Sequence, residues 1–307
     1  MPLDAIRRPA VTILMVLADS GISALDAASR ALAAPECVEL IVLDNASCDG
    51  IPQRLIARSE GDSRLRVLSM GSNLGFGAAM NRGAAIARGD WLLLLNPDCQ
   101  LEPDTLTRML EVASDGAMVG AVVCDADGRH DPAAWRRAPT VIRVLCTMTG
   151  LARLESCWQI FAGVNRRDAL PDSAVPAEVI SGAIMLVPRA AFAAMGGFDA
   201  GYFLHFEDVD LCARIRNAGV ALTMAGGIRV LHAKGGSSSG RGLMVARHKH
   251  RGLLRYLRLH DPRARCWPWR VLLPTLVWLH FLLQIPALML RDARARRRSA
   301  KSGRGAT

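Results

Sequence analysis

The sequence lacks any paired cysteine spacing: its eight cysteines are scattered, and no two of them form a Cys-x-x-Cys motif. This pattern argues against a cysteine zinc site and against a disulfide framework, and it is typical of cysteines that fill small apolar gaps in a reducing compartment. An apolar signal-peptide core is also missing after the first basic residues, because the run at 11–17 has only the length of a strand. The sequence therefore predicts a cytoplasmic main domain.

Acidic residues are scarce in the last part of the chain. Residues 246–307 contain 15 Lys/Arg and 2 Asp/Glu, a net charge of +13, so the total of +10 leaves −3 for the first 245 residues. A near-neutral main domain argues against binding to nucleic acid, and a basic tail predicts attraction to an anionic membrane surface. We expect one large domain over residues 1–245 and a membrane-associating tail over 246–307.

Short apolar runs alternate with helical patterns along the chain. Strands are predicted at 11–17, 39–43, 65–69, 91–95, 119–124, 180–188, 220–225 and 229–231. Helices are predicted at 23–33, 53–58, within 73–87, at 189–194 and from residue 207. This alternation predicts an α/β fold with βαβ units, whose strand-end polar residues share one edge of the sheet. Residues 131–178 show no clean period and receive no assignment.

The stretch at 91–99, WLLLLNPDC, is the most informative. Its unbroken apolar run predicts a strand that is buried on both faces, and Pro97 then turns the chain out of the sheet. Asp98 follows at the carboxyl end, where open α/β sheets bind their ligands, and Asp44 ends the second strand in the same way. The alternative is that Asn96 and Asp98 only form a polar turn and cap the next helix.

Three carboxylates open the helix that begins near residue 207. Capping by the helix dipole accounts for one or two of Glu207, Asp208 and Asp210, and crowding raises the pKa of a carboxylate so that one can act as a base. His232 follows the last strand. A histidine at a strand end is more often simply hydrogen-bonded, but close to Asp98 it would complete a site for a hard divalent ion.

Five segments of the sequence contain motifs, and the order of these motifs along the chain identifies a protein family more specifically than any one motif does. They are LIVLDNASCDG (40–50), NLGFGAAMNRGAAIARGDWLLLLNPD (73–98), SGAIMLVPR (181–189), GGFDAGYFLHFEDVDLCARIRNAG (196–219) and VLHAKGGSS (230–238). On these segments the chain resembles the inverting, nucleotide-sugar-dependent glycosyltransferases of family 2, in particular their bacterial rhamnosyltransferase-like branch. The resemblance implies a GT-A-type fold with a mixed, mainly parallel sheet. It also implies metal-assisted transfer of rhamnose or another hexose from a nucleoside-diphosphate sugar to a lipid-linked or cell-surface glycan.

The resemblance also implies roles for particular residues. Asp208 would be the general base, supported by Glu207 and Asp210, and Asp98 with His232 would hold Mg²⁺ or Mn²⁺. Nucleotide-sugar binding is implied for Asp44, Asn45, Asp49, Asn73, Gly75, Asn81, Asn96, Gly182 and Arg214. One departure stands out: relatives open with a Val-Asn-Tyr-Asn-like motif, and this chain has Val-Leu-Ala-Asp at 16–19.

The tail contains residues 271–290, which carry no formal charge and are long enough as a helix to cross a hydrocarbon core of about 30 Å. Four residues interrupt this pattern: Pro274, His280, Gln284 and Pro286. Because both flanks are basic, an interfacial or re-entrant helix at the cytoplasmic face of the inner (plasma) membrane suits the charges better than a single span. The alternatives are a full span, a buried core helix and a contact within a homo-oligomer.

Two other functions remain open at this point. A nucleotidyltransferase also uses acidic metal ligands, but it should carry a basic glycine-rich loop after the first strand, where this chain has Asp-Ser-Gly at 19–21. A non-catalytic sugar-binding scaffold would explain the altered first motif, yet it would have no need of a base at residue 208.

Overall fold

The structure is a computed structural model that describes residues 9–131, 134–232 and 241–303. These residues divide into two compact units. The first takes in residues up to 137 together with 165–203 and 207–232, and the second takes in 138–164, 204–206 and the residues from 241 onward. The second unit therefore contains the predicted tail and also a segment that the sequence left unassigned.

The strands are β1 (Val11–Leu17), β2 (Cys37–Asp44), β3 (Leu65–Ser69), β4 (Trp91–Leu95), β5 (Cys99–Gln100), β6 (Met118–Cys124), β7 (Trp135–Arg136), β8 (Ala174–Pro176), β9 (Val179–Ile180), β10 (Ile184–Pro188) and β11 (Leu222–His232). The helices are α1 (Ser23–Ala33), α2 (Ile51–Ser59), α3 (Phe76–Ala84), α4 (Thr105–Val112), α5 (Val141–Thr149), α6 (Arg189–Ala194), α7 (Glu207–Asn217), α8 (Gly242–His260) and α9 (Trp267–Gly303).

The first unit is built on one mixed sheet. Among the described residues its strand order is β3-β2-β1-β4-β10-β6-β11-β5, with β8 added on β11. The β3, β2, β1 and β4 strands pair in parallel, as do β6 and β11, whereas β10 runs antiparallel to both of its neighbours. Residues 92–95 of β4 are completely buried between β1 and β10, which explains their unbroken leucine run. The predicted mixed, mainly parallel α/β fold is confirmed.

The strand register brings the predicted polar positions to one edge of the sheet. Leu17 pairs with Asp44, Met15 pairs with Leu95, and Leu95 also pairs with Ile184 at the amino end of the antiparallel β10. The β11 strand runs parallel to β6 and ends at His232 on the same edge. The residues that follow β2, β4 and β11, and those that precede β10, therefore surround a common crevice.

Two strand predictions need correction. The single strand predicted at 180–188 is wrong, because Ser181–Ala183 interrupts it and separates β9 from β10. The two strands predicted at 220–225 and 229–231 are one strand, β11, with a register shift between Ala225 and Arg229. Gly226 lies at that shift, and its amide donates to the Ser173 carbonyl. Glycine permits this close approach, so the sequence pattern breaks although the strand continues.

The second unit contains α5, α8 and α9. The α5 helix begins with its Thr140 cap, whose hydroxyl accepts the Arg143 amide, and the Asp261 carboxylate accepts the Val141 amide. The apolar part of α9, Trp267–Ala293, contains an 18-residue stretch with a mean hydropathy of 1.8, and only 17% of that stretch is buried. A core helix would be mostly buried, so the alternative of a buried core helix is wrong for this part of α9.

Candidate active site

All of the predicted site residues lie in the first unit. Asp98 follows β4 and His232 ends β11, and the histidine Nε2 lies 2.8 Å from the Asp98 Oδ1. Neither ring nitrogen of His232 makes a hydrogen bond among the described residues, so this close approach lacks hydrogen-bond alignment. A carboxylate oxygen and an imidazole nitrogen held side by side in this way can serve as two ligands of one cation.

Cys99 also belongs to this cluster, since its sulfur and the ligand atoms of Asp98 and His232 all lie within 4.8 Å of one another. Burial, and then the charge of Asp98, raise the pKa of the Cys99 thiol well above its ordinary value. A neutral thiol is a poor ligand for a hard ion. The donor set that fits a divalent ion is therefore the carboxylate and the imidazole.

The turn after β4 does not cap the next helix. The β5 strand intervenes, and α4 begins only at Thr105. Instead, the Asn96 amide donates to the Ala183 carbonyl at 2.9 Å. The alternative that Asn96 and Asp98 serve as a helix cap is therefore wrong, and this turn is tied to the residues just before β10.

Asp208 lies in the first turn of α7, next to the same segment. Its Oδ2 accepts the Gly182 amide at 3.1 Å and the Arg136 guanidinium at 2.9 Å. A Cβ at residue 182 would stand 3.1 Å from the Asp208 Cβ, so glycine allows the backbone to approach the carboxylate. Because Gly182 adjoins Ala183, the two hydrogen bonds link the Asp208 carboxylate to the turn that carries Asp98.

Arg136 is the site residue that the sequence did not indicate. It lies on β7, which pairs with β9, and its side chain is 19% exposed beside an Asp208 side chain that is 15% exposed. Its Nε is buried without a hydrogen-bond partner among the described residues. The guanidinium of Arg136 therefore donates its hydrogen bond to the predicted base, Asp208.

The other two acids of α7 are buried. Asp210 accepts the Arg214 Nε at 2.7 Å and the Tyr202 hydroxyl at 3.5 Å, and Arg214 also donates to the Met195 carbonyl at 2.8 Å. These bonds hold the turn before α7 against the helix. Glu207 is also buried, at the first position of α7. The roles predicted for Glu207, Asp210 and Arg214 in the reaction stay predictions.

The loop after β2 carries Asp44, Asn45 and Asp49. Asp44 accepts the Ser47 amide at 2.8 Å, and Asp49 accepts the Gly21 amide at 2.9 Å. Asn45 is buried and donates to the Gly75 carbonyl, while its Oδ1 has no partner among the described residues. This orphaned acceptor is available to a ligand that donates a hydrogen bond.

Asp19 belongs to the altered first motif and lies just after β1. It has a φ of +55°, and its carboxylate accepts the Cys48 amide at 2.8 Å. The aspartate therefore orders the loop after β2 from the end of β1. The residue type permits this, because aspartate tolerates the left-handed region better than most residues do.

Asn73, Gly75 and Asn81 shape the loop and helix after β3. Asn73 accepts the Gly75 amide at 3.0 Å, and a Cβ on Gly75, whose φ is +86°, would run into the Phe203 carbonyl. Asn81 accepts the Phe198 amide and donates to the Phe198 carbonyl, both at 2.8 Å. Glycine at residue 75 therefore allows a close approach of the Phe203 backbone. The nucleotide contacts predicted for these residues stay predictions.

The mixed, mainly parallel sheet, with acidic and imidazole side chains collected at its carboxyl edge, is the architecture of the GT-A class of glycosyltransferases. The Glycosyl transferase family 2 sequence model matches residues 23–169. The chain is 33% identical over 258 residues to a Mycobacterium tuberculosis protein named N-acetylglucosaminyl-diphospho-decaprenol L-rhamnosyltransferase, covering 78% of this chain and 80% of that protein. It is 25% identical over 215 residues to rhamnosyltransferase WbbL of Escherichia coli, covering 62% and 76% of the two chains. The chain belongs to glycosyltransferase family 2.

Solved structures share the fold. Mannosyltransferase PcManGT from Pyrobaculum calidifontis, in complex with GDP-Man and Mn²⁺, aligns with a TM-score of 0.57 and 16% identity over 96% of this chain and 76% of that one. GalNAc-T7 with UDP, GalNAc and Mn²⁺ aligns with a TM-score of 0.59 and 14% identity, over 82% of this chain and 48% of that one. The predicted GT-A-type fold and glycosyltransferase class are confirmed, and the nucleotidyltransferase alternative gains no support.

Proposed function

We propose that this glycosyltransferase moves a sugar, first of all L-rhamnose and otherwise another hexose, from a nucleoside-diphosphate sugar to a polyprenyl-linked or cell-surface glycan. The observation that carries the proposal is the grouping of Asp98, His232 and Asp208 at one edge of the sheet. The name of the relative from M. tuberculosis supports a rhamnosyl donor and a polyprenyl-linked acceptor.

Asp98 and His232 would hold Mg²⁺ or Mn²⁺. Both ring nitrogens of His232 are buried without a hydrogen-bond partner among the described residues, so the imidazole is available to an ion beside the Asp98 carboxylate. When bound, the ion supplies a positive charge that stabilises the leaving diphosphate. The Mn²⁺ in two structures of the same fold supports this assignment.

Asp208 would accept the proton of the acceptor hydroxyl as that oxygen attacks the sugar. The Gly182 amide and Arg136 hold its Oδ2, which sets the plane of the carboxylate. Its Oδ1 accepts the Val209 amide alone among the described residues and keeps a lone pair for the hydroxyl. Glu207 and Asp210 would support the base from the same helix turn. Because attack is a single displacement, the anomeric centre is inverted and no second nucleophile is needed.

The donor nucleotide would lie against the loop after β2. Asp44 and Asp49 would accept hydrogen bonds from the ribose or the base, and the unpartnered Oδ1 of Asn45 would accept another. Asn73, Gly75, Asn81, Asn96, Gly182 and Arg214 would form the remaining wall of the nucleotide-sugar site, either directly or by holding its backbone.

An acceptor on a polyprenyl carrier stays in a membrane, so the transferase must work at a membrane surface. We assign this reaction to the cytoplasmic face of the inner (plasma) membrane. The eight cysteines, all free, support a reducing compartment, and the basic tail supports contact with anionic lipid.

The first test is calorimetric titration of the purified chain with dTDP, UDP and GDP, with Mn²⁺ or with a chelator. We expect one diphosphate to bind more tightly in Mn²⁺, and Asp98→Ala to remove this metal-dependent gain. Binding of Mn²⁺ in the presence of the nucleotide, followed by electron paramagnetic resonance, gives a second readout that does not depend on turnover.

The matched control is Asp127→Ala, which removes an exposed carboxylate whose side chain is 74% exposed. It should bind nucleotide and Mn²⁺ as the unaltered chain does. Equal nucleotide affinity with Mn²⁺ and with chelator would contradict the metal site, and failure to bind any of the nucleotides would contradict the proposed function as a whole.

A further inference from the structure

The apolar part of α9 has two unlike faces. Leu273, Val277 and Phe281 recur at four-residue spacing and are buried. The opposite face is apolar as well, but it is exposed over its length. It comprises Val271, Leu272, Leu279, Leu282, Leu283, Met289 and Leu290, and we call it the outer face. An exposed apolar strip of this size indicates a binding surface.

Polar contacts fix the inner side of α9 along α8. The Asp292 carboxylate accepts the amides of Gly242 and Leu243 at 3.0 and 3.3 Å, which caps the first turn of α8. Further along, the His250 Nε2 lies 3.2 Å from the His280 Nδ1. As residue numbers rise along α8 they fall along α9, so the two helices run antiparallel.

These contacts explain polar residues that weakened the pattern of a spanning helix. His280 bonds to His250, and Gln284 lies 3.2 Å from the other ring nitrogen of His280. His250 is itself buried and packs against the rings of Trp278 and Phe281. His280 and Gln284 therefore lie on the side of α9 that faces α8. Thr275 is exposed among the residues of the outer face, but its hydroxyl donates to the Val271 carbonyl at 2.9 Å within the helix.

The α8 helix cannot accompany α9 across a bilayer. It carries exposed basic residues along its length: Arg247, Lys249, Arg251, Arg255 and Arg258. Charged side chains are strongly disfavoured at the centre of a hydrocarbon core. While the contacts through Asp292 and His280 persist, α9 must stay at the same depth as this charged partner. A transmembrane α9 would break both contacts and leave their polar groups without partners.

We propose that the outer face of α9 docks in the plane of an anionic bilayer, as a monotopic surface, and does not cross it. Charge complementarity favours lipid over a second copy of the chain, because residues 246–307 carry +13 and two such surfaces would repel each other. The apolar strip would enter the boundary between headgroups and acyl chains, with the basic side chains at the phosphates. The inference deepens the proposed function, since it supplies the surface on which a polyprenyl-linked acceptor would be met.

The docking surface can be tested by flotation of the full chain with vesicles of phosphatidylcholine and phosphatidylglycerol at 3:1. We expect Leu282→Gln with Leu283→Gln to lower partitioning at least tenfold. The matched control is Ile22→Gln, because Ile22 is 72% exposed, like Leu283 at 73%, but lies in the first unit. The control should partition normally, and all variants should keep the nucleotide affinity of the unaltered chain.

The orientation needs a second measurement, which does not rely on the altered face. The native Cys266 precedes α9, and Ala293→Cys would place a thiol at an exposed position some 40 Å along the helix. In sealed inside-out vesicles from expressing cells, an impermeant maleimide should label both thiols, as read by mass spectrometry of the two peptides. Labelling of only one would overturn the in-plane arrangement.

Unchanged flotation of the Leu282/Leu283 variant would overturn the docking surface, and so would a change in oligomeric state without a change in flotation. The proposed function fails separately, because its test is nucleotide binding by the first unit's site residues. If the chain binds metal and nucleotide but does not bind vesicles, the proposed transferase function stands and the proposed membrane docking is refuted.

Discussion

At the scale of the residue, the contact of Arg136 with Asp208 matters most, because it ties up an oxygen of the proposed base. A guanidinium 2.9 Å away holds the carboxylate in one orientation. A general base must direct a carboxylate oxygen at the acceptor hydroxyl as that hydroxyl attacks, so a fixed orientation favours catalysis. We infer that Arg136 acts through Asp208 as a positioning residue.

We expect Arg136→Gln to lower kcat at least tenfold and to leave the KM for the donor nearly unchanged. Asp208→Asn should lower kcat by roughly 10²–10⁴-fold, the usual contribution of a general base. If Arg136 acts only through Asp208, the double variant should be no slower than Asp208→Asn alone. Steady-state kinetics of the four proteins, together with nucleotide titration of each, measures this cycle.

Arg129→Gln is the matched control, since its side chain is 80% exposed and pairs only loosely with Asp127. Arg136→Lys should recover part of the lost rate, because it retains the charge and loses the forked geometry. Additive losses with a weakened nucleotide affinity would mean that Arg136 binds the diphosphate instead of positioning the base. Full activity in Asp208→Asn would refute the base assignment itself.

The candidate site was partly predictable from sequence for a physical reason. Asp98 follows a strand, His232 ends a strand, and Asp208 lies in the first turn of a helix, so the topology alone brings them to one edge. Arg136 lies on a two-residue strand in a stretch without a period, and only its pairing with β9 carries it to Asp208. Such a contact depends on tertiary structure, and local patterning has no signal for it.

At the scale of the element, the opposite edge of the sheet is fixed by Glu39 inside β2. Its completely buried carboxylate accepts the Thr12 hydroxyl of β1 at 2.7 Å and the Arg88 amide at 2.6 Å, ahead of β4. Burial acts to raise the pKa of Glu39, but the hydrogen bonds from Arg88 and Thr12 outweigh it and hold the pKa below its ordinary value of 4.5. One acid thus connects β1, β2 and the entry to β4.

Glu39→Gln should lower the free energy of unfolding by roughly 2–3 kcal/mol at pH 7, because buried charge-assisted hydrogen bonds are weakened. A carboxyl with a depressed pKa stabilises the fold above its ordinary pKa, and this contribution is lost as the pH falls through the folded value. The difference between the two proteins should therefore shrink below pH 4.5. Urea unfolding at several pH values measures it, with Glu60→Gln on the exposed surface as the control.

Elements with a simple burial pattern were predicted closely. The β1 and β3 strands and α1 begin and end where the sequence placed them, because each is an unbroken apolar run or a clear helical stripe. The two strand predictions that were wrong fall at positions where a glycine allows an irregular backbone. Gly182 donates to Asp208 between β9 and β10, and Gly226 allows β11 to continue past a register shift. Sequence period does not distinguish a break in hydrophobicity from a break in the strand.

At the scale of the whole molecule, charge and apolar surface are both concentrated in the C-terminal part. The first 245 residues carry −3 and the last 62 carry +13, and the exposed apolar strip of α9 lies within those 62. The two forces respond differently to salt. Attraction to anionic lipid weakens as the Debye length falls from about 10 Å at 0.1 M to about 3 Å at 1 M, whereas burial of apolar surface does not weaken.

Partitioning of the unaltered chain onto the 3:1 vesicles should therefore fall at least tenfold between roughly 0.05 M and 0.5 M salt, and then level off above zero. The remaining binding would come from the outer face of α9, so the Leu282/Leu283 variant should lose it and be released completely. Nucleotide affinity should change much less over the same range, because the site lies in the near-neutral part of the chain. Flotation across a salt series, with calorimetry in parallel, measures both. Binding that does not respond to salt would mean that the basic residues of α8 and α9 do not contact the lipid phosphates, and that the apolar face alone holds the chain.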